Sequence, residues 1–540
     1  MASSQSSRAA SSSEADDFAS ASSSGAFCFK RKYSSQTVSE SDDSEDAKSE
    51  DPVGASESVK TSAIKKKSRL SVADEAVEVG RTASSSSKSS IDFGLYVTKV
   101  SGLVEDKQSG QFTAYNLRDI ISNHPSKLIE SIQFNYLFEI DWLVAQYPKE
   151  SRSAPLTLVH GSQGASKTDL DVEAMSHEHV NLVQARLDMP YGTHHSKLMI
   201  LRYADGIRIV AHTANLIERD WHQKTQCGWL SPLLKPLAAE ASSNDGDSPT
   251  NLRADLCRYL RRYRHPRVGR WADLIEACDC SGLRVFLIAS CPGRHSADQL
   301  NEFGHLKLRQ VLRQFDFGAN SKDACLVGQF SSIGSLGSES SKWLTAEFMA
   351  SLAAGGSPGG GGGGDGSALK LIYPTKDDVR QSLEGFPAGA SLPYRQSVAK
   401  KQPWLNRFLH SWSASRSSRS RAMPHMKSYL RYSGGSGSPR LSWYLVTSAN
   451  LSKAAWGSLE KKGTQLAIRS YELGVLFVAR QFGLPNFSLE AANAAACISV
   501  PFDLPPCRYK ATDKPWIVDL AYRDLPDAHG NIWCPPMCGN

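Results

Sequence analysis

Four stretches of the chain read His-x-Lys: His195/Lys197, His222/Lys224, His305/Lys307 and His425/Lys427. Local context divides them. His222 lies in a polar run from Trp221 to Gln226, and His305 opens an amphipathic pattern carrying Leu308, Val311, Leu312 and Phe315, so both read as ordinary surface or helix residues. His195 and His425 instead open apolar, β-prone stretches. Residues two apart on a strand share a face, so each imidazole projects beside its lysine. Turn signals follow both, Asp205-Gly206 and the run Ser433 to Pro439. A hairpin about the first sets Lys197 opposite Ala214 and His195 opposite Leu216, next to Asn215; one about the second sets His425 opposite Asn450. The asparagine contexts match, Thr213-Ala-Asn-Leu216 and Ser448-Ala-Asn-Leu451, each followed by a tryptophan, Trp221 and Trp456. The pattern is an internal duplication of a half-site holding one His, one Lys and one Asn.

Two such sets suit a phosphodiester, a poor electrophile shielded by negative charge. Two lysines and two carboxamides can hold its non-bridging oxygens and offset charge in the transition state. That arrangement needs no divalent cation, and the motifs contain no carboxylate cluster to hold one, so no metal and no cofactor is expected. One imidazole can attack phosphorus to give a phosphohistidine. The other can protonate the leaving oxygen and then activate water. The two rings need different proton affinities, hence different surroundings.

The elements that position these groups alternate. Leu128 to Tyr147 carries apolar residues at helical spacing and is expected to be a helix. Strands are expected at 156–160, 180–187, 197–203, 207–213, 283–290, 324–330, 368–373, 443–448 and 473–479, with a helix at 251–263. This mixture is an α/β architecture, in two halves that divide near residue 282. Residues 1–91 hold 28 serines and few aromatic or branched apolar side chains, and are expected to be a disordered tail. Their clusters Lys30-Arg31-Lys32 and Lys65-Lys66-Lys67 suit nuclear import or a solvated charge run. Residues 354–367 form a Gly-rich loop, and 395–421 a basic insert with Trp404 and Trp412, compatible with single-stranded nucleic acid or with a mobile basic surface.

Composition narrows the class. The chain has 540 residues and no run of about 18 apolar residues, so no spanning helix and no membrane partner are expected. The first 25 residues lack the apolar core of a secretory signal. Eleven cysteines, an odd and scattered number, read as reduced thiols of the cytosol or nucleus. The net charge is +7, while the first 91 residues carry 12 basic and 14 acidic side chains, so the surplus lies in the folded part. It fits an anionic partner such as nucleic acid, or simple solubility.

The duplicated motif resembles the phospholipase D superfamily. That superfamily usually carries an Asp five residues after the Lys; here those positions are Arg202 and Tyr432, a departure that points away from its lipid-cleaving branch. The chain looks instead like the tyrosyl-DNA phosphodiesterase branch, through Gln133-Phe-Asn-Tyr136, Gly192 to Lys197, Asp220 to Gln226, Gln329 to Gly337, Thr447 to Trp456 and Ser470 to Gly474. The resemblance spans about 92–540. It implies two phospholipase D-like domains, 92–282 and 283–540, related by pseudo-twofold symmetry. It implies removal of tyrosyl peptides left by topoisomerase I from DNA 3′ ends, single-stranded or nicked, by a nuclear, monomeric DNA-repair enzyme. His195 would be the nucleophile and His425 the general acid/base. Lys197, Lys427, Asn215 and Asn450 would bind phosphate, and Gln226 and Glu472 would orient the imidazoles. Tyr136, Tyr191, Ser331 and Ser332 match DNA-contacting positions, with core packing the other reading of the two tyrosines. The alternative activity is a lipid phosphodiesterase.

Overall fold

The computed structural model describes residues 92–535 apart from 104–111, 243, 318–323, 357–367, 435–437 and 491–495. The Ser-rich tail with its two basic clusters, and most of the Gly-rich loop, lie outside the described residues.

Two large sheets dominate. The first contains β1 (Leu95–Thr98), β2 (Ala114–Tyr115), β3 (Leu128–Phe134), β4 (Leu156–His160), β5 (Val180–Gln184), β6 (Leu198–Tyr203), β7 (Gly206–His212) and β8 (Cys227–Leu230), in the order β2-β1-β8-β7-β6-β3-β4-β5. The second half contributes β9 (Phe286–Ser290), β10 (Gly293–Ser296), β11 (Cys325–Gln329), β12 (Leu369–Ile372), β13 (Leu409–His410), β14 (Ser428–Ser433), β15 (Arg440–Thr447), β16 (Ser458–Glu460), β17 (Gln465–Ile468) and β18 (Glu472–Val478). Its large sheet runs β13-β12-β11-β14-β15-β18-β9, with Phe487–Ser488 beside β15, and β10-β17-β16 form a small separate sheet.

The two large sheets repeat one plan. β1-β8-β7-β6-β3-β4-β5 corresponds to β9-β18-β15-β14-β11-β12-β13, in the same chain order and with the same parallel and antiparallel pairings. Their central strands read as near-continuous apolar runs, such as Leu-Met-Ile-Leu in β6, because both faces are covered. One hydrophobic core runs through both halves and joins Phe134, Leu198 and Ile209 to Leu287, Val446 and Val475. Residue 282 falls between the helix Pro266–Glu276 and β9.

Three expectations need correction. Leu128 to Tyr147 is not one helix: it is β3, a loop, and the short helix Ile140–Gln146. Leu128 and Ile132 of β3, four apart, line up with Tyr136 and Ile140 at helical spacing although they lie on separate elements. The first hairpin also turns one residue earlier than expected. Tyr203 pairs with Gly206, so Ala204-Asp205 form the turn, and the Lys197 carbonyl accepts a hydrogen bond from His212 N–H at 3.1 Å. Gly206 belongs to the strand, where a Cβ would collide with the carbonyl of Leu234.

The third correction concerns the basic stretch 395–421. It holds the helix Gln396–Lys401 and the edge strand β13, the counterpart of β5 in the repeated plan, so it is part of the fold. Trp412 and Arg419 are buried and Trp404 packs against the core, so neither tryptophan offers a free face to a base.

Candidate active site

The second hairpin places Ser428 opposite Val446, and the Lys427 carbonyl accepts from Thr447 N–H at 3.0 Å; part of its turn, 435–437, lies outside the described residues. In both halves, therefore, the asparagine follows by three residues the one bonded to the lysine carbonyl. The expected registers were off by one or two positions, but the six residues converge.

Each histidine is held by the opposite half. His195 N–H donates to the carbonyl of Tyr471 at 3.0 Å, and His195 Nδ1 lies 3.0 Å from Glu472 Oε2. His425 N–H donates to the carbonyl of Thr225 at 3.0 Å, and its Nδ1 lies 3.1 Å from Gln226 Nε2. Gln226 and Glu472 sit at the starts of the equivalent strands β8 and β18. The hydroxyl two residues before each asparagine fixes the orienting side chain: Thr213 Oγ1 donates to Gln226 Oε1 at 2.9 Å, and Ser448 Oγ donates to Glu472 Oε2. Gly192 permits the loop ahead of His195 to press on the second half, because a Cβ there would strike the carbonyl of Arg469.

These contacts settle the resting tautomers. The Glu472 carboxylate accepts a hydrogen bond from His195 Nδ1–H, which keeps the ring's proton on Nδ1 and leaves Nε2 with its lone pair. Gln226 already uses its oxygen on Thr213, so its amide N–H donates to His425 Nδ1 and the proton of the neutral ring sits on Nε2.

Each lysine ammonium donates to the carbonyl of its own histidine, Lys197 at 3.1 Å and Lys427 likewise. Both are fully buried. Burial pulls Lys197 down to about 8, against the attraction of Glu472 and Asp220, and burial with the neighbouring Lys197 pulls Lys427 well below its ordinary value. Burial lowers His195, a shift opposed by Glu472, and burial with Lys427 and Lys197 lowers His425 strongly. Burial raises Glu472, but the His195 contact outweighs it and the carboxyl ends below its usual range. Charge on His195 and on Lys197 depresses His425, and Lys427 depresses His195, so the two half-sites face one another. The result is a buried cluster short of negative charge, the electrostatic complement of a phosphodiester.

Asn450 Oδ1 accepts from Ser331 N–H at 3.1 Å and Ser332 N–H at 3.0 Å, so its amide N–H groups are the ones left to face a ligand. Ser331 is buried and its Oγ also turns to Asn450, at 3.3 Å. Asn215 is held through its backbone, by Asp220 Oδ2 at 2.8 Å and Trp221 Nε1 at 2.9 Å. Tyr136 is half-buried with its ring 5.5 Å from that of His195, and burial pushes its hydroxyl up to about 12. Tyr191 is 45% exposed, which rules out core packing for it. Among the described residues no three His, Cys, Asp or Glu are grouped to hold a metal, no helix is long and apolar enough to cross a membrane, and the cysteines are free.

A family model described as tyrosyl-DNA phosphodiesterase matches residues 94–510. The chain belongs to the tyrosyl-DNA phosphodiesterase family. It is 35% identical over 464 residues to tyrosyl-DNA phosphodiesterase 1 of Arabidopsis thaliana, covering 77% of this chain and 73% of that protein. It is 34% identical over 412 residues to the Drosophila melanogaster protein of the same name, covering 75% and 70%. The crystal structure of yeast tyrosyl-DNA phosphodiesterase shares the fold, with a TM-score of 0.57 at 20% identity over 78% of this chain and 99% of that one. None of these likenesses favours the lipid-cleaving alternative.

Two side chains of this family member carry weight that the sequence reading did not assign. Asp220 and Lys224 are buried; Lys224 pairs with Glu384 of the second half at 2.5 Å, and Asp220 Oδ2 lies 3.2 Å from His425 Nδ1. The readable signal is an acid and a base four apart, Asp220 and Lys224, in a short segment that also holds Trp221.

Proposed function

We propose that this phosphodiesterase cleaves the bond between a DNA 3′ phosphate and a tyrosine, by way of a phosphohistidine on His195. The observation that carries the reading is the pair of opposed imidazoles, each anchored from the other half and flanked by its own buried lysine. His195 Nε2, kept basic by Glu472, attacks phosphorus. Lys197, Lys427 and the amides of Asn215 and Asn450 hold the non-bridging oxygens and offset the growing charge. His425 protonates the tyrosyl oxygen as it leaves, then takes a proton from the water that frees the DNA 3′ phosphate and restores His195. DNA as the substrate agrees with the basic surplus of residues 92–540 and with the names of the relatives.

Finer points belong to the same proposal. The 3′ end is single-stranded or nicked, and the adduct is a topoisomerase I remnant or a comparable 3′ group. Tyr191, exposed four residues before His195, and the part-exposed Ser332 would meet the nucleotide. The protein acts as a monomer, since both half-sites lie on one chain, and the basic clusters near Lys30 and Lys65 direct it to the nucleus. The test is an oligonucleotide bearing a 3′-phosphotyrosine, incubated with the protein and EDTA. Release of tyrosine is expected; hydrolysis of phosphatidylcholine alone, or of neither, overturns the reading.

A further inference from the structure

The two imidazoles have unlike surroundings in one respect that the exchange of Glu for Gln does not cover. A neutral imidazole is a feeble acid, so to protonate a leaving phenolate His425 must first carry a second proton. In the resting ring that proton would go on Nδ1, where Gln226 presents an N–H and not an acceptor: its oxygen is already taken by Thr213, and the same nitrogen donates to the Asp220 carbonyl at 3.2 Å. Gln226 therefore suits the neutral ring and opposes the charged one.

The acceptor that Gln226 lacks is next to it. Asp220 Oδ2 lies 3.2 Å from His425 Nδ1, its side chain is 1% exposed, and its Oδ1 is buried with no hydrogen-bond partner among the described residues. Oδ2 also accepts from Asn215 N–H at 2.8 Å, which fixes the carboxylate in place. A buried carboxylate with a bare oxygen is costly to keep unless something completes it. The corresponding position in the second half, five residues after Asn450, is Ala455, so His195 has no such neighbour.

Resting on the reading above, we propose that Asp220 is the positioning residue that holds a proton on His425 Nδ1 through the reaction, so that Nε2 alone gives and takes protons. When the P–O(tyrosyl) bond breaks, its electron pair goes to oxygen, which takes the Nε2 proton of the imidazolium, while the P–Nε2 bond to His195 forms. His425 is then neutral with its proton on Nδ1, against Asp220, and its bare Nε2 is the base that deprotonates water. That proton returns His425 to the imidazolium, and Nε2 of His195 leaves phosphorus with its electron pair.

The groups that face His425 agree with a ring that charges only on demand. Lys427 from the segment before β14, Lys197 and His195 from the segment before β6, and Lys224 from the segment before β8 all oppose its protonation. Glu384 pairs with Lys224 and so weakens one of them, and Glu472 lies on the far side, bonded to His195. An arriving phosphodiester offsets the two lysines, and Asp220 then stabilises the imidazolium that forms.

The test uses the full chain and two substrates, a 3′-phosphotyrosyl oligonucleotide and its 3′-(4-nitrophenyl phosphate) counterpart, whose leaving group departs without an acid. Asp220→Asn is expected to cut cleavage of the tyrosyl substrate by about 10²-fold, the lower end of a general acid's contribution. It should leave the nitrophenyl substrate within about threefold and move the alkaline limb of kcat/KM to lower pH. Equal loss on both substrates with an unmoved limb overturns the proposal and leaves Asp220 only a support for Asn215. Failure of the unaltered protein on both substrates overturns the underlying reading instead. Should the variant not fold, the unaltered protein labelled with ¹⁵N-histidine decides by NMR with bound vanadate. His425 protonated at Nδ1 supports the role, and a ring that stays neutral with Nδ1 bare contradicts it.

Discussion

His195 and His425 follow one backbone plan, each three residues ahead of the first strand of a hairpin, yet their Nδ1 atoms meet different chemistry. The first faces the Glu472 carboxylate; the second faces the Gln226 amide with the Asp220 carboxylate alongside. The groups proposed to grip the phosphate are duplicated: the lysine bonded to its own histidine's carbonyl, the asparagine beyond it, and the hydroxyl that braces the orienting residue of the same half. The halves differ at the atoms that govern proton affinity, and in that Asn450 is held through its side chain but Asn215 through its backbone. In the proposed mechanism the repeated groups form the clamp, and the difference at Nδ1 divides nucleophile from acid.

That division can be broken one side at a time. His195→Ala should lower turnover of the phosphotyrosyl substrate by at least about 10⁴-fold, as loss of a nucleophile does, with no covalent DNA–protein species on a denaturing gel. Glu472→Gln keeps the shape but removes the charge that fixes the nucleophile's tautomer; a fall of about 10²–10⁴-fold in single-turnover rate is expected. Asn450→Ala removes a donor to the phosphate and should cost about 10²–10³-fold. Ser331→Ala should cost less than about threefold, because the Ser331 and Ser332 N–H groups still hold Asn450.

The smaller effects concern the scaffold. Burial holds His160 at about 4 and His194, His212 and His305 at about 3 in the folded chain, against about 6.5 unfolded. Their folded affinities are depressed, so the unfolded chain takes up protons first. The stability these neutral rings contribute is present above pH 6.5 or so and is lost as pH falls toward 4. Thermal melts should show Tm dropping across that window, and less steeply in His305→Gln. Removal of residues 1–90 should change kcat/KM on a short oligonucleotide by less than about tenfold, because the tail carries none of the six clustered side chains.

Much of this was legible in the chain. The paired His-x-Lys and the matched Ala-Asn-Leu segments locate the site, since each short motif sits at a strand end where local sequence dictates geometry. The orienting residues Gln226 and Glu472 needed the family resemblance, because each acts on a histidine some 200 or more residues distant. Registers were misread where a glycine marks close approach and not a turn, as at Gly206. β3 is hard to read because its buried Ser131 and Gln133 leave its apolar residues at a spacing that a helix also shows. Asp220 stayed hidden because nothing in a linear segment shows which histidine of the other half it will meet.

In the proposed mechanism His195 alone forms the bond to phosphorus. His425→Ala leaves the nucleophile and the clamp intact but removes the base for the second step. Phenolate, with a pKa near 10, can depart slowly without an acid. The His425→Ala protein, mixed with a 3′-phosphotyrosyl oligonucleotide in EDTA and digested, should yield a peptide carrying the DNA phosphate on His195 by mass spectrometry. An adduct mapped to any other residue, or full turnover by the His195→Ala protein, would contradict it.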